Sequence, residues 1–278
     1  MTTKELSIPA RPRILLELQE LMQHEELDLI KITQLIKQDV ALYSTLLSTV
    51  NSPWMGMRQE VKSIETAISL MGLEQLIEII QGVIIRSCFQ SISLRESFWD
   101  AATEVAGISQ NLAERFTDVK PSDAYGAGML HNAGVPIMMM NFDNYDGFIL
   151  KHTRRPANEI CVLERQAYET DHYLQGALMA KKWHMNSNII LAVRYQPIAA
   201  SVLHENSKQL SADVLSMIAV LTLAKDISNE YQHYWKVEAN EFHYQCLQAA
   251  LKHLNISEAE YAELKEDAIS DLMEAQVA

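Results

Sequence analysis

Two short runs of polar residues could hold a metal ion, because each joins an imidazole to an oxygen-bearing side chain. His131 is followed by Asn132, and Asp171 is followed by His172. Imidazole nitrogens and carboxylate oxygens are common metal ligands, whereas asparagine offers only a neutral carbonyl oxygen. Hard divalent ions favour anionic oxygen ligands. The first pair therefore offers an imidazole and only a neutral oxygen, which makes it a weak candidate for holding a divalent ion.

Each of these residues also has a purely structural interpretation. His131 fits a buried, hydrogen-bonded histidine, and Asn132 can satisfy buried backbone groups. Asp171 is favourable in the first turn of a helix, directly before His172. The seven other histidines form no His-Glu-x-x-His or similar ligand spacing, and the three cysteines form no Cys-x-x-Cys. Metal binding is thus a hypothesis that depends on the surrounding sequence.

Seven segments, in order, resemble the HDOD family, a catalytically degenerate branch of the HD-domain superfamily found in bacterial signalling proteins. They are residues 8–12, 36–42, 50–56, 63–72, 98–99, 128–132 and 171–183. The third contains Asn51 and Ser52, which match the family's Asn-Ser motif. The resemblance covers about residues 8–197 and implies an all-α, multi-helix HD-like bundle with a helical N-terminal lobe.

The resemblance also implies where the metal ligands of HD enzymes would fall on this chain. The first ligand histidine falls on Ala101, and the His-Asp pair falls on His131 and Asn132. A third histidine, which some two-metal relatives use, falls on His172. One ligand position is therefore apolar, and another has lost its charge.

The remaining ligand positions are altered too. The later His-His pair falls on Tyr195 and Gln196. The final aspartate follows a Leu-Ala step, where this chain has Lys225, and Asp226 comes one residue late. A catalytic metal site needs about three protein ligands and an open position, so we interpret the site as lost. We refer to its residues as the vestigial cleft: Ala101, His131, Asn132, Asp171, His172 and Gln196.

Composition favours a helical, cytoplasmic protein. The chain has 278 residues, 48% of them hydrophobic, with only 9 glycines and 7 prolines, which disfavours a turn-rich β fold. Unpaired cysteines fit a reducing compartment. We expect no signal peptide, because the N-terminus lacks an apolar segment, and no apolar run reaches the roughly 20 residues that cross a membrane. The net charge of -13 argues against broad contact with nucleic acid.

Helical periodicity runs through nearly the whole chain and positions the candidate residues. Asp39 and Ser63 are predicted N-caps, and Gly72 is predicted to end a helix. A nearly all-apolar helix is predicted from about residue 73 to 89, and a helix opening at Pro121 leads into His131. Further helices are predicted at about 143–152, 157–168, 172–184, 187–196 and 212–229, followed by two more.

Two lobes, residues 1–93 and 94–278, are predicted to form one packed unit, since no flexible linker separates them. We expect a pocket between the lobes, at the former active-site cleft. Asn51 and Ser52 are candidates for binding a ligand or partner at its mouth, and a helix C-terminal turn is an equally good interpretation of both.

The leading hypothesis is a non-enzymatic signal-transduction module that binds a signalling protein or a small nucleotide-like ligand without turning it over. This hypothesis rests on analogy with proteins of similar fold. This chain shows no clear attached domain, so it would act as a stand-alone adaptor. Neither the membrane nor nucleic acid is an expected partner, and no cofactor is expected.

The rival hypothesis is a metal-dependent phosphohydrolase acting on a nucleotide or cyclic dinucleotide. It requires manganese, iron or zinc held by a reduced site of His131, Asn132 and His172, with help from Asp171 or Asp226. In this case a nearby glutamate, Glu169, would act as the base. The two hypotheses differ most clearly in the missing carboxylate at position 132.

Overall fold

The computed structural model describes residues 6–22, 28–51, 59–89, 92, 96–152, 155–204, 209–228 and 241–277. Within these ranges every regular element is a helix, which confirms the predicted all-α fold class. The helices are Arg13–Met22 (α1), Leu29–Gln38 (α2), Val40–Val50 (α3), Ile64–Met71 (α4), Leu73–Ser87 (α5), Glu96–Phe116 (α6), Pro121–Leu130 (α7), Gly134–Asn141 (α8), Tyr145–His152 (α9), Ala157–Tyr168 (α10), His172–Lys182 (α11), Ser187–Tyr195 (α12), Ala199–His204 (α13), Ala212–Ile227 (α14), Glu241–Leu254 (α15) and Glu258–Val277 (α16).

Side-chain caps fix several helix starts where the sequence predicts them. Asp39 Oδ1 accepts a hydrogen bond from Leu42 N at 2.9 Å, and Ser63 Oγ accepts one from Thr66 N at 3.1 Å. Gly72 ends α4 with a φ of 83°, which costs glycine little strain. The Asp39 and Ser63 side chains satisfy backbone donors that a helix leaves without partners in its first turn.

The core is formed by α5, α6, α7 and α14, which carry long buried apolar stripes. Helix α7 packs tightly against α6 because Gly128 has no side chain: a Cβ there would lie 2.4 Å from Ala106 Cα. Likewise, a Cβ on Gly134 would lie 1.7 Å from the carbonyl oxygen of His172, where α8 begins against α11. Small residues therefore allow the close helix contacts that hold the vestigial cleft together.

The N-terminal segment is bonded to the second predicted lobe. Lys182 Nζ donates to Ile8 O at 2.9 Å, and Trp183 Nε1 donates to Pro9 O at 3.1 Å. Residues of both lobes also belong to one hydrophobic core. The boundary at 93/94 stays a prediction, because residues 93–95 lie outside the described ranges. None of the described helices is both long enough and apolar enough to span a membrane.

Candidate functional site

The His131–Asn132 pair lies in the turn between α7 and α8 and is buried, with 2% and 6% of the two residues exposed. His131 Nδ1 is hydrogen-bonded to the carbonyl oxygen of Gly128. A carbonyl oxygen only accepts, so His131 Nδ1 carries a proton and donates it to Gly128 O. Metal-binding histidines commonly have this orientation, in which one ring nitrogen is held by a carbonyl.

Gln196 connects this turn to α14. Its Nε2 donates to His131 O at 3.0 Å and to Val193 O at 3.2 Å, and its Oε1 accepts from Lys225 Nζ at 3.2 Å. The Lys225 ammonium also lies 5.7 Å from the centroid of the Tyr173 ring, within cation–π range. An ammonium group and an amide thus occupy two positions that the family resemblance assigns to metal ligands.

His172 is held by a buried glutamate that the sequence analysis missed. Glu164 on α10 is completely buried, and its carboxylate lies 2.8 Å from His172 Nδ1. The same carboxylate accepts from the backbone N of His172 at 3.2 Å and from the hydroxyl of Tyr145. The sequence did contain one signal of this role: Glu164 is a charged residue on the face of α10 that also carries the buried Ile160 and Cys161.

Asp171 caps α11 and pairs with arginine. Its Oδ1 accepts from Leu174 N at 2.8 Å, while its Oδ2 lies 2.7 Å from Arg165 Nη2. Arg194 Nη1 is 3.8 Å from Oδ1. The carboxylate is also fully buried, so its oxygens are directed at a helix N-terminus and two guanidinium groups. These contacts support the structural interpretation of Asp171, in which it caps the start of α11.

The other candidates for the rival hypothesis have different surroundings. Ala101 is a buried methyl group on α6, and Glu169 is an exposed C-cap of α10 with a φ of 60°. Asp226 accepts from His243 Nε2 at 2.8 Å, from Tyr261 OH at 2.6 Å and from Lys265 Nζ. Burial alone would raise the pKa of Asp226, but these hydrogen bonds outweigh burial and lower it to about 2.

Across the described ranges, no three histidine, cysteine, aspartate or glutamate side chains are grouped closely enough to hold a metal ion. The residues that approach such a group are bound to other protein atoms: Asp171 to arginines, Asp226 to α15 and α16, and Glu164 to His172. Within the described ranges, the vestigial cleft thus presents no group of three such ligands.

Asn51 is the C-cap of α3, and backbone atoms bind both ends of its amide. Nδ2 donates to Leu47 O and to Val61 O, each at 2.8 Å, and Oδ1 accepts from Val61 N at 2.6 Å. These bonds join the end of α3 to the segment before α4, and they support the helix-end interpretation. Its neighbour Ser52 lies outside the described residues.

A pocket of about 250 Å³ does lie where the predicted N-terminal lobe meets the second lobe. Its walls come from the residues before and within α1, from α5 and from the start of α7. None of the residues of the vestigial cleft lines it. This pocket therefore does not open onto the His131–Asn132 turn, and a pocket at that turn stays a prediction.

The sequence profile of the HDOD domain matches residues 8–199. The chain belongs to the HDOD domain family. An uncharacterized protein of Treponema pallidum (strain Nichols) is 30% identical over 193 residues, which make up 68% of this chain. The chain spans only 37% of that relative's length.

Solved structures share the fold at low sequence identity. A candidate phosphohydrolase from Shewanella amazonensis SB2B superposes with a TM-score of 0.70 at 20% identity, covering 96% of this chain and 93% of that one. An HDOD domain protein of unknown function from Geobacter sulfurreducens gives the same score and identity over 98% and 92% of the two chains. A candidate signal transduction protein from Marinobacter aquaeolei VT8 gives 0.70 at 16% identity over 99% and 63%. These likenesses establish the HD-like fold alone.

Proposed function

We propose that this HDOD protein is a non-hydrolytic, cytoplasmic regulatory module, which binds a signalling protein or a small ligand without metal-dependent chemistry. The observation that carries the proposal is the contact between Lys225 Nζ and Gln196 Oε1. In HD enzymes both positions correspond to metal ligands. Here the ammonium group of Lys225 takes the place of an aspartate ligand, and it donates a hydrogen bond to Gln196 at the other ligand position.

Electrostatics explains why this exchange disfavours a metal ion. At an effective dielectric constant of about 20, two unit positive charges about 5 Å apart repel by roughly 3 kcal/mol, and a divalent ion by about twice as much. The substitution also removes the attraction of the lost aspartate. Neutral Asn132 and apolar Ala101 supply no compensating charge.

A packed vestigial cleft is compatible with a binding function elsewhere on the molecule. The buried hydrogen bonds of His131, Gln196 and Asp171 fix the relative positions of the helices around the turn. A rigid helical scaffold of this kind presents surfaces and pockets in fixed geometry, which favours recognition. The likeness to a candidate signal transduction protein agrees with a regulatory function, although it shows only the fold.

The proposal is tested by pairing a substrate screen with capture of partners. Purified parent protein and His131→Ala are incubated with nucleotides, cyclic dinucleotides and simple phosphoesters in the presence of manganese, iron or zinc. We expect the parent to show no turnover that is lost in His131→Ala. Affinity capture from native lysate, followed by mass spectrometry, is expected to yield a reproducible partner or bound small molecule. Turnover that depends on His131, or the absence of any partner and ligand, would refute the proposal.

One observation favours the phosphohydrolase alternative. The Nδ1–H of His131 donates to Gly128 O, which is the orientation that metal-binding histidines commonly have. In that alternative His131 and His172 would hold the ion, which would supply Lewis-acid activation of a water molecule. The Asn132→Asp variant tests it: hydrolysis that appears only in this variant would show that the missing carboxylate separates the two functions.

A further inference from the structure

The pocket between α1, α5 and α7 has one apolar and one polar wall. Leu15 and Leu18 of α1 and Ile77 of α5 form the apolar wall, and each is nearly fully buried. The polar wall comes from α5 and from the start of α7. An apolar pocket with a few converging polar groups is the usual form of a small-molecule site.

A buried carboxyl group with too few partners lies in the polar wall. The hydrogen bond of the Glu78 side chain is a long one, 3.5 Å from Gln81 Nε2 to Oε1. Glu78 Oε2 and Gln81 Oε1 are both buried without a hydrogen-bond partner. Buried acceptors are nearly always satisfied in folded proteins, so this pair indicates a missing donor. Arg11 Nε lines the same pocket and is also buried without a partner, so it satisfies neither acceptor.

The charges around the pocket indicate which charge the missing donor group should carry. Three carboxyl groups line it, those of Glu74, Glu78 and Asp123, together with two bases, Arg11 and Lys120. With every group ionised the lining carries one excess negative charge, which a single monovalent cation balances, whereas the lining is neutral when Glu78 is protonated. Asn186 Nδ2 binds one oxygen of Asp123 at 2.7 Å and leaves its charge in place.

We propose that this pocket binds a small organic cation whose N–H groups donate to Glu78, namely a primary ammonium or a guanidinium. The volume of about 250 Å³ lies just below the roughly 300–1,000 Å³ of typical ligand pockets, which suits a compact molecule. A metal ion is a poorer occupant, because the described part of the chain holds no cluster of three metal-ligating side chains. This inference goes beyond the proposed function and does not depend on the loss of the metal site.

Binding is expected to release a proton from Glu78. Burial, followed by the nearby charges of Asp123 and Glu74, raises the pKa of Glu78 to about 8. Lys120 and Arg11 also line the pocket, and Tyr125 lies buried within electrostatic reach of Glu78. Since a cation favours the ionised carboxyl, affinity should rise about 20-fold between pH 6.5 and pH 8.5 as this group titrates.

The test is isothermal titration of the full chain with n-butylamine and n-butylguanidine, with n-butanol as a neutral ligand of similar size. We expect one of the cations to bind at one site per chain and butanol not to bind. Titration in two buffers of different ionisation enthalpy should show net proton release at pH 7. Failure of both cations, or equal binding of butanol, overturns the proposal.

Variants identify the residue responsible. Glu78→Gln keeps the shape but removes the charge, and we expect at least a tenfold loss of affinity together with the loss of its pH dependence. Glu263→Gln, an exposed glutamate on α16, is the matched control and should bind as the parent does. Circular dichroism and thermal melting check that each variant is folded. Unchanged binding by folded Glu78→Gln overturns the assignment.

A lysine or arginine side chain of another protein offers the same chemistry as a free amine. N-acetyl-lysine amide and N-acetyl-arginine amide, whose backbones are blocked, distinguish the two sources. Tighter binding of butylamine or butylguanidine than of the blocked amino acids supports a free amine or guanidine. The reverse order assigns the pocket to a partner's side chain, and that result overturns the small-molecule form of the proposal.

Discussion

Replacing Asp226 by asparagine tests whether this carboxylate stabilises the fold or belongs to a metal site. Its pKa falls from 3.8 to about 2 in the folded protein, because His243, Lys265 and Tyr261 donate to the ionised form. A fall of this size corresponds to about 2 kcal/mol of folding free energy at neutral pH. We therefore expect Asp226→Asn to lower the free energy of unfolding at pH 7 by about 2 kcal/mol.

The pH dependence of this loss follows from the sign of the shift. A carboxyl whose folded pKa is lowered contributes its full stability above the unfolded value of 3.8, and the contribution disappears as pH falls towards 2. Parent and variant should therefore differ most at pH 5–7 and converge near pH 2. Urea unfolding followed by circular dichroism measures the difference at each pH.

Asp267→Asn on α16 is the matched control, since this aspartate is exposed and the change should alter stability by less than about 0.5 kcal/mol. Two results would refute the reasoning. One is an Asp226→Asn variant as stable as the parent at pH 7. The other is stabilisation of the parent, but not of the variant, by added manganese or zinc, since that would make Asp226 a metal ligand.

Three further substitutions test a close helix contact and two helix ends, each by urea unfolding. Gly134→Ala should lower the free energy of unfolding by about 3 kcal/mol or more, because its Cβ would overlap the His172 carbonyl oxygen at 1.7 Å. In the control Gly147→Ala the new Cβ meets no atom within 4 Å, so this change should be neutral or slightly stabilising. Equal effects of the two changes would contradict the close approach of α8 and α11. Glu169→Gly should stabilise the protein by about 0.5–1 kcal/mol, because φ is 60° there, and a loss of stability would contradict this. Asn51→Ala should cost about 1–3 kcal/mol through its lost backbone bonds, and a neutral result would show that these bonds contribute little.

Local chemistry made much of the fold predictable. Asp39, Ser63 and Gly72 act at the helix ends where their types predict, since capping depends on neighbours three or four residues away. The HDOD resemblance correctly gave the family and the helical architecture. The predicted helix at 143–152 begins at Tyr145, a difference of two residues.

The candidate site was less predictable, because its contacts join residues far apart in the chain. Glu164 meets His172 through the packing of α10 against α11, and Gln196 meets Lys225 through α14. The pocket brings Arg11, Glu78 and Asp123 together from three separate segments. The sequence of one segment does not show which distant residues it will contact. It therefore indicated candidate positions but not the side chains that surround them in the fold.

The metal content of the purified protein tests the central claim most directly. The parent, His131→Ala and His204→Ala are exposed to manganese, iron and zinc, desalted and measured by elemental mass spectrometry. His204 is an exposed histidine and controls for adventitious binding. The account predicts that all three retain metal far below one ion per chain. Near-stoichiometric metal in the parent and in His204→Ala, lost in His131→Ala, would contradict it and restore the phosphohydrolase interpretation.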